Sequence, residues 1–312
     1  MHNVESMFSV REKPWHYNET KEVTKIVQEA LTAEEALKAA HLDWDVNSCP
    51  VYDYFGDVIP GYKANTRDSD GSVLGIVSDR YTIVQNVEAF DFTDNLIGED
   101  MRYETAGSLR GGRQVWLLAK MPEKEIAGDK FEPYVCFTNT HDGTGSVRVC
   151  MTPIRVVCNN TLNVALSSAP RKWSARHTGK MEAKLSEARQ TLGLANLYME
   201  NLKLKAEEFA LEPYTVADAR LAIKLLLNYS KLKTEAQKQW AQEQEEQIVS
   251  CMFAPDLANF FNTKWAFVNA VSDYVGHAEP QRYSRNYESN RWSSIIGGHP
   301  MLDKAMAIVS NV

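Results

Sequence analysis

The chain has 312 residues, a formal net charge of −7 at pH 7 and a hydrophobic content of 44%. This length and apolar content suffice for one large domain or two ordinary ones, and they predict a globular protein. No stretch approaches the roughly eighteen uninterrupted apolar residues that a transmembrane helix needs, and the N-terminal sequence lacks the apolar segment of a signal peptide. We therefore expect a cytoplasmic protein that does not enter a membrane.

Three regions follow one another in the predicted secondary structure. Residues 1–43 contain a polar arm and two helical patterns, the second of which begins at a capping box, "TAEE" (Thr32 to Glu35). Residues 44–178 carry β-branched and aromatic runs separated by turns, which predicts a sheet with basic hairpins. Residues 179–312 are mostly helical. The predicted fold class is therefore α+β, with a mostly antiparallel twisted sheet in the N-terminal half followed by a helical C-terminal half.

The predicted strands are joined by two glycine-containing turns. The turns are "LRGGRQ" (Leu109 to Gln114) and "THDGTGS" (Thr140 to Ser146), where glycine supplies the positive φ that tight hairpins need. One helix, "VEAFDFTDNLIG" (Val87 to Gly98), interrupts the strands. The strand segments read "VYDYF", "VLGIV", "YTIVQ", "MRYETAGSL", "RQVWLLAKM", "YVCFTNT" and "VRVCMTPIRVVC".

Apolar residues after Lys180 recur at steps of three and four, which predicts one helix of about thirty residues. They are Leu185, Ala188, Leu192, Ala195, Met199, Leu202, Ala206 and Phe209. Such a stripe packs either in a core or against a helix of another subunit. Further helices are predicted by "TVADARLAIKLLLNYS", "TEAQKQWAQEQEEQIVSCMF" and "LANFFNTKWAFVNAVSDYVGH".

Charge is distributed unevenly along the chain. Residues 102–190 hold fourteen Lys and Arg against eight Asp and Glu, whereas the rest of the chain is acidic. The densest basic part is "APRKWSARHTGKMEAK" (Ala169 to Lys184). A basic segment of this kind is either a solvated connector or an anion-binding surface.

Catalytic and metal-binding hypotheses rest on few residues. Cys158, with His177 and a neighbouring asparagine, nominally supplies the groups that a cysteine nucleophile needs. Asp94, Glu99 and Asp100 are candidate magnesium ligands of a nuclease. The five cysteines show no CxxC spacing, so we expect reduced thiols and no structural zinc. The sequence also lacks P-loop, HExxH and dinucleotide-binding motifs, so we predict no cofactor.

Nucleic acid is the alternative ligand of the basic segments. Phosphates need fixed cations and unpaired bases need flat aromatic faces, so a surface that mixes Arg and Lys with Trp and Tyr is typical of single-strand binding. Two stretches have this composition, "RKWSARHTGK" (Arg171 to Lys180) and "RYSRNYESNRW" (Arg282 to Trp292), and the hairpin "SLRGGR" is a third candidate. The predicted nucleic-acid contacts are Arg110, Arg113, Arg148, Arg155, Arg171, Lys172, Trp173, Arg176, Arg282 and Arg285.

Two of these arginines lie in "VRVCMTPIRVVCNN" (Val147 to Asn160). A regular strand would place Arg148 on one face and Val147 and Val149 on the other, and we expect Pro153 to end it. An arginine on a largely apolar strand needs an anionic partner, which is either a phosphate or a buried carboxylate. For Arg155 both interpretations stay open.

Several phrases together resemble an uncharacterised protein family of phages and plasmids, known as a domain of unknown function. They are "PWH", "YTIVQNVEAFDFTDNLIG", "TAGSLRGGRQVWLLAKMP", "THDGTGSVRVCMTPIRVVCNNTL", "RHTGKMEAKLSEA" and "TKWAFVNAVSDYVGH". The resemblance implies a role on mobile genetic elements and no particular activity.

The order of elements is also similar, at the level of topology, to single-strand annealing proteins of the RecT kind. That similarity implies a homo-oligomer that binds single-stranded DNA during recombination, without catalysis and without a nucleotide cofactor. The alternatives are a Cys/His hydrolase, a metal-dependent nuclease, and a factor that binds a host or defence protein.

Overall fold

The computed structural model describes residues 4–10, 24–29, 31–97, 102–155, 160–161, 172–192, 195–277 and 298–311. Strands precede residue 176 and the longer helices follow residue 180, which confirms the predicted α+β class. Within the described ranges, no helix is both long enough and apolar enough to cross a bilayer.

The described residues form twelve strands and eight α-helices. The strands are β1 (Val4–Ser9), β2 (Thr24–Ile26), β3 (Val46–Tyr52), β4 (Val58–Arg67), β5 (Val73–Ser78), β6 (Arg102–Leu109), β7 (Gln114–Lys120), β8 (Lys124–Ile126), β9 (Asp129–Thr140), β10 (Val147–Arg155), β11 (Asn160–Thr161) and β12 (Lys172–Ala175). The helices are α1 (Ala33–Ala39), α2 (Asn86–Ile97), α3 (Met181–Leu192), α4 (Ala195–Leu211), α5 (Val216–Leu226), α6 (Glu235–Cys251), α7 (Lys264–His277) and α8 (Pro300–Ser310).

Tertiary contacts divide the chain into two compact units. The first unit contains residues 1–121, 134–151 and 172–195. The second contains residues 122–133, 152–171 and 196–312.

The first unit is built on a large sheet and a small one. In the large sheet the strand order is β10-β9-β7-β6-β1-β2, and β12 pairs with β10. Its β6–β7 and β7–β9 pairs are antiparallel, and the two glycine-containing turns lie at the predicted hairpins. The small sheet has the order β3-β4-β5 and is antiparallel throughout.

Close approach of the strands in the large sheet depends on one glycine. Gly107 on β6 lies opposite Met7 on β1 and Trp116 on β7. A Cβ at this position would meet Met7 Cβ and Trp116 Cη2 at 2.6 Å, as well as the carbonyl oxygen of Ser6. Because real Cβ contacts of this length do not occur, only glycine lets β1 and the Trp116 ring pack here.

The small sheet packs on the hairpin turns of the large one. Gly75 on β5 lies so close to the β9–β10 turn that an added Cβ would be 2.5 Å from Asp142 Cα. Gly112 in the β6–β7 turn faces Trp44, Arg67 and Leu74 in the same way. Both turns are therefore held from outside as well as by their own strands.

The second unit is mainly helical. Its large buried side chains include Tyr198, Phe209, Trp265 and Phe267. Capping boxes begin α5 and α6, where Thr215 and Thr234 each accept from a backbone N–H of the first turn. Strand β8 pairs with the first residues of β9, and β11 pairs with the end of β10.

Several predicted elements are confirmed. The capping box at Thr32 begins α1, and α2 occupies the segment predicted as helical. The apolar stripe after Lys180 is core, since Ala188, Met199, Leu202, Ala206 and Phe209 are all buried. It covers two helices, α3 and α4, rather than the single helix of about thirty residues that its spacing predicts.

Other predictions are wrong at the N-terminus and in the small sheet. The predicted arm and first helical pattern contain strands β1 and β2 instead, because both add to the large sheet through distant partners. The sequence pattern does not predict strand β4, because Pro60 and Gly61 within it are residues typical of turns. "YTIVQ" contains no strand; its Tyr81 makes only an isolated bridge with Thr178.

Pro153 does not end β10, which continues to Arg155. On one side of this strand, β12 pairs with Val147 to Cys150 and β11 pairs with Ile154 and Arg155. Pro153 lies between the two pairings, where neither partner needs a backbone N–H from it.

Candidate nucleic-acid interface

Three of the predicted cationic residues share one exposed face of the β10–β12 pair. Arg148 lies directly opposite Ser174, and Lys172 lies two residues before Ser174 on β12. Arg176 follows β12 by one residue, and the side chains of all three cations are exposed. Opposite and diagonal side chains on one face of an antiparallel pair are about 5 to 8 Å apart, so the three charges form one patch.

The basic hairpin lies at the same end of the large sheet. Leu109 pairs with Gln114, so residues 110–113 form the β6–β7 turn. Arg110 has φ 58° and the two following glycines have φ 69° and 79°, which is why the turn needs Gly111 and Gly112. Arg110 and Arg113 are both exposed.

Strand directions align these residues across the sheet. Gln114 pairs with Thr140, so β7 begins where β9 ends, and Ala175 lies opposite Val147 at the start of β10. The cationic row is therefore formed by Arg110, Arg113, Arg148, Lys172 and Arg176. Neighbouring strands are about 4.8 Å apart, so the four steps from β12 to β6 extend the row over about 19 Å.

Three arginines of the cationic row have no carboxylate partner within the described part of the chain. They are Arg113, Arg148 and Arg176, and Arg148 donates only to the Ser146 hydroxyl, at 3.3 Å. Arg67, by contrast, forms ion pairs with Glu5 and Asp70, both at 2.7 Å. Within the described part of the chain, the charges of Arg113, Arg148 and Arg176 are thus not neutralised by carboxylates as that of Arg67 is.

The ion pairs of Arg67 and Arg220 also shift the pKa values of the groups that form them. Hydrogen bonds that Arg67 donates to the Asp70 carboxylate raise the pKa of Arg67, and the same bonds hold the pKa of Asp70 well below its usual range. In the second unit, Arg220 donates to Glu245 at 2.9 Å and to Glu246 at 2.7 Å, and its pKa is raised for the same reason. Arg67 and Arg220 therefore each hold two carboxylates.

A buried polar cluster supports the cationic row from within the first unit. The Tyr81 hydroxyl donates to the carbonyl of Thr140, and the Tyr81 ring stacks on His177 with centroids 4.5 Å apart. Thr82 N–H donates to the carbonyl of His177 at 2.9 Å. The segment after β5 is thereby hydrogen-bonded both to Thr140, the last residue of β9, and to His177, which follows Arg176.

Hydrogen bonds show which ring nitrogen carries a proton in each of the two buried histidines. His177 Nδ1 is 3.0 Å from the Thr82 carbonyl oxygen, which only accepts, so Nδ1 carries the proton. His141 Nε2 is 3.2 Å from Asn86 Oδ1 and donates to it by the same argument, since Asn86 Nδ2 donates to Leu42 O. Among the described residues, His141 Nδ1 and His177 Nε2 have no hydrogen-bond partner.

Burial keeps these histidines uncharged. Desolvation lowers the pKa of His141 to about 3, and the nearby His177 contributes in the same direction. Desolvation also lowers the pKa of His177. Neither imidazole adds positive charge to the cationic row at neutral pH.

The structure leaves four predicted contacts without a described side chain. Arg155 belongs to β10, but its side chain lies outside the described residues, as do Arg171, Arg282 and Arg285 entirely. Trp173, the predicted stacking residue, is half-buried on β12 and lies opposite Val149.

The candidate enzyme residues do not form an active site in the described part of the chain. Cys158, Glu99 and Asp100 lie outside it, and Asp94 accepts a hydrogen bond from the Tyr103 hydroxyl at 2.6 Å. His177 is 3% exposed and is engaged with Thr82 and Tyr81. Among the described residues, no three His, Cys, Asp or Glu side chains are grouped so that they could hold a metal ion.

The described cysteines are free thiols, as predicted. Cys136 and Cys150 lie close together in the large sheet, and the hydrogen bond between them, with desolvation, raises the pKa of Cys136. Burial raises the pKa of Cys251 to about 12. The raised pKa favours the protonated thiol at Cys136 and Cys251, and a thiol is a far weaker nucleophile than a thiolate.

Sequence reasoning missed Arg80 and the polar cluster. Arg80 is exposed and precedes Tyr81, whose backbone bridges Thr178 two residues after Arg176. No local motif marks Arg80. His141 stands in the quoted "THDGTGS" turn, but a turn pattern does not indicate that its imidazole is buried.

Comparison with known proteins identifies the family of the chain. The chain matches no curated protein and no solved structure. A family model, described as Domain of unknown function (DUF932), matches residues 73–296, which include every residue of the cationic row. Since this match covers more than half of the chain, the protein belongs to the DUF932 family.

Proposed function

We propose that the protein binds single-stranded nucleic acid, specifically single-stranded DNA, and that the phosphate backbone lies along the cationic row. The observation that carries the proposal is the alignment of three exposed arginines, Arg113, Arg148 and Arg176, that have no carboxylate partner among the described residues. A guanidinium without an internal anion is available to a phosphate, with which it forms charge-assisted hydrogen bonds.

The rigidity of the row favours this ligand. The turn at residues 110–113 is packed against Trp44 and Leu74, and the segment at Arg176 is anchored through Lys184, whose Nζ donates to the Arg176 carbonyl at 2.9 Å. Cations on a preformed surface lose little conformational freedom when a ligand binds.

We propose a single strand rather than a duplex because the cations form one row, which follows one line of phosphates. Trp173 lies between Lys172 and Ser174 on β12, but it pairs with Val149 and so lies on the other face of the β10–β12 pair from Arg148, half-buried and not beside the phosphates. The acidic remainder of the chain opposes non-specific attraction of nucleic acid to other surfaces, since the net charge is −7.

The proposed biological setting follows from the resemblance to phage and plasmid proteins. In that setting the protein handles single strands during recombination in the cytoplasm, as an oligomer of the annealing kind and without catalysis. A basic groove that follows one strand needs neither a metal nor a nucleotide, and the cationic row has this character.

Fluorescence anisotropy of a labelled oligonucleotide tests the proposal. The measurement compares a single strand with a duplex of equal length at about 50 and about 200 mM salt. We expect preference for the single strand and weaker binding at the higher salt concentration. A protein that binds neither oligonucleotide at either salt concentration contradicts the proposal.

A charge-matched pair of variants identifies the surface. The triple variant Arg113→Ala, Arg148→Ala and Arg176→Ala removes three phosphate contacts, which lowers the slope of log affinity against log salt by about 2. Between the two salt concentrations, the native protein then loses about 20-fold more affinity than the variant.

The control removes the same charge elsewhere. It replaces three exposed lysines of the second unit, Lys224, Lys231 and Lys233, with alanine. Equal slopes for the native protein and the control, and a smaller slope for the triple variant, are expected. Equal losses in both variants would show that net charge rather than the cationic row determines binding.

A further inference from the structure

The small sheet exposes an unusual amount of apolar surface. Its exposed large side chains, with their exposed fractions, are Tyr52 (57%), Tyr54 (95%), Phe55 (86%), Val58 (56%), Tyr62 (56%), Val73 (52%) and Ile76 (59%). We name this set the aromatic face. It is formed by β3, β4, β5 and the β3–β4 turn, and it shares no residue with the cationic row.

Strand register shows why part of this set lies on one side. Tyr62 pairs with Ser78 and Ala64 pairs with Ile76, so Tyr62 and Ile76 point away from the side occupied by Val77 and Asn65. Val77 and Asn65 are buried. The small sheet therefore has a packed inner side and an outer side on which Tyr62 and Ile76 are exposed beside Ser78 and Ala64.

The exposed area is that of a protein interface. An aromatic side chain has about 150 to 250 Å² of surface, so the four aromatic residues alone expose about 600 Å². The aliphatic residues bring the total to about 800 Å². The largest apolar patch of a typical monomer is about 300 to 600 Å², and each partner in a standard interface buries about 800 Å².

Carboxylates at both ends of the aromatic face disfavour a phosphate ligand. Asp53 and Asp57 flank the β3–β4 turn, and Asp68 lies in the β4–β5 turn at the other end of β4, where Asp70 is paired with Arg67. An apolar centre with carboxylates at its ends has the anatomy of a protein interface with a polar rim. Nucleic acid would be repelled here.

The β3–β4 turn is rigid before any partner binds. Asp53 Oδ1 accepts from the backbone N–H groups of Phe55 and Asp57, both at 2.9 Å, and the Tyr54 and Phe55 rings meet edge to face at 5.5 Å. Gly56 supplies the positive φ, 89°, that closes the turn. Little conformational entropy is therefore lost when these rings are buried.

We propose that the aromatic face binds the same face of a second copy of this chain, forming a two-fold symmetric dimer by packing sheet on sheet. An antiparallel sheet with one apolar side buries it by packing on another such sheet, and a second copy supplies one of equal area. The carboxylates at both ends stay at the rim, in water. This inference deepens the proposed function, because it assigns a surface to the proposed self-association.

Sedimentation velocity over a range of concentrations tests the dimer. The test variant is Tyr54→Ser with Phe55→Ser, chosen because both side chains are almost fully exposed and add little to folding. We expect the native chain to sediment as a dimer and the variant to associate about tenfold or more weakly. A native chain that is monomeric throughout the range overturns the proposal.

The control is designed to detect a competing surface. Leu204 and Leu211 on α4 are 63% and 85% exposed and lie seven residues apart, on one side of the helix. Leu204→Ser with Leu211→Ser removes a comparable apolar surface and is expected to leave the dimer intact. Loss of the dimer in this control, with retention in the Tyr54→Ser, Phe55→Ser variant, assigns the interface to α4 instead.

Anisotropy on the same samples separates this proposal from the proposed function. The Tyr54→Ser, Phe55→Ser variant retains the cationic row, so we expect it to bind a short single strand as a monomer. A native dimer that binds no single strand contradicts the proposed function alone, whereas a native monomer that binds contradicts the dimer alone.

Discussion

Acidification should destabilise the protein through its buried histidines. His141 is fully buried and its pKa is lowered to about 3, compared with about 6.5 in an unfolded chain. Between these two pH values the unfolded chain binds a proton that the folded chain does not. The free energy of unfolding therefore falls as pH decreases below about 6.5, and it stops falling near pH 3.

The size of the effect follows from the difference in pKa. Each pH unit below 6.5 lowers the free energy of unfolding by about 1.4 kcal/mol for one such histidine. At pH 5 the loss from His141 is about 2 kcal/mol relative to pH 7, and the full loss near pH 3 is about 5 kcal/mol. His177, whose pKa is also lowered by burial, acts in the same direction.

Urea unfolding at pH 7 and pH 5 measures this effect. His141→Gln keeps a donor for Asn86 but does not titrate, so the difference in free energy of unfolding between the two pH values should shrink by about 2 kcal/mol. The control is His41→Asn, because His41 is exposed and has φ 53°, a conformation that asparagine tolerates. If His141→Gln and the native protein show the same pH dependence, the assignment of a neutral buried imidazole is wrong.

Four further substitutions test the packing of the fold by thermal unfolding. Gly107→Ala should destabilise the protein by about 3 kcal/mol or more, because the added Cβ would overlap both neighbouring strands. Gly111→Ala has open space around it and should cost only about 1 kcal/mol of backbone strain. Equal effects of the two substitutions would refute the close approach of the strands at Gly107. Tyr81→Phe should cost about 1 to 3 kcal/mol, because the Thr140 carbonyl loses a buried donor, and an unchanged melting temperature would show that the bond adds nothing. Thr215→Ala should cost about 1 kcal/mol through loss of the α5 cap, and full stability in this variant would contradict the capping box.

The two proposals assign different tasks to different parts of the first unit. The cationic row lies along the turns and edge of the large sheet, and the aromatic face belongs to the small sheet. A dimer formed through the aromatic face leaves the row of each protomer available. Such a dimer carries two cationic rows. It would bind a long strand more tightly than a monomer does, because binding at one row raises the effective concentration of the strand at the other.

Much of the fold could be predicted where local chemistry and final structure agree. The Thr32 capping box, the hairpins at residues 110–113 and 141–146, and the buried stripe of α4 all depend on nearby residues or on a helical period. Strands β1 and β4 were missed because their stabilising partners are distant or because Pro and Gly interrupt their pattern. The sequence predicts no strand at β12, whose segment is interpreted as a connector or an anion-binding surface, and the pairing of β12 with β10 is what places Lys172 beside Arg148.

By itself, the sequence determined the α+β class, the reduced state expected of its thiols and the residues able to contact phosphate, because these follow from composition, periodicity and side-chain chemistry. Only the tertiary structure decided which of those residues meet. Arg113 and Arg176 are far apart along the chain and reach the same end of the sheet through strand pairing, which no local pattern specifies. Burial likewise decided that His177 is a neutral packing residue and that the tyrosines of the small sheet are exposed, since the environment of a side chain depends on every element packed around it.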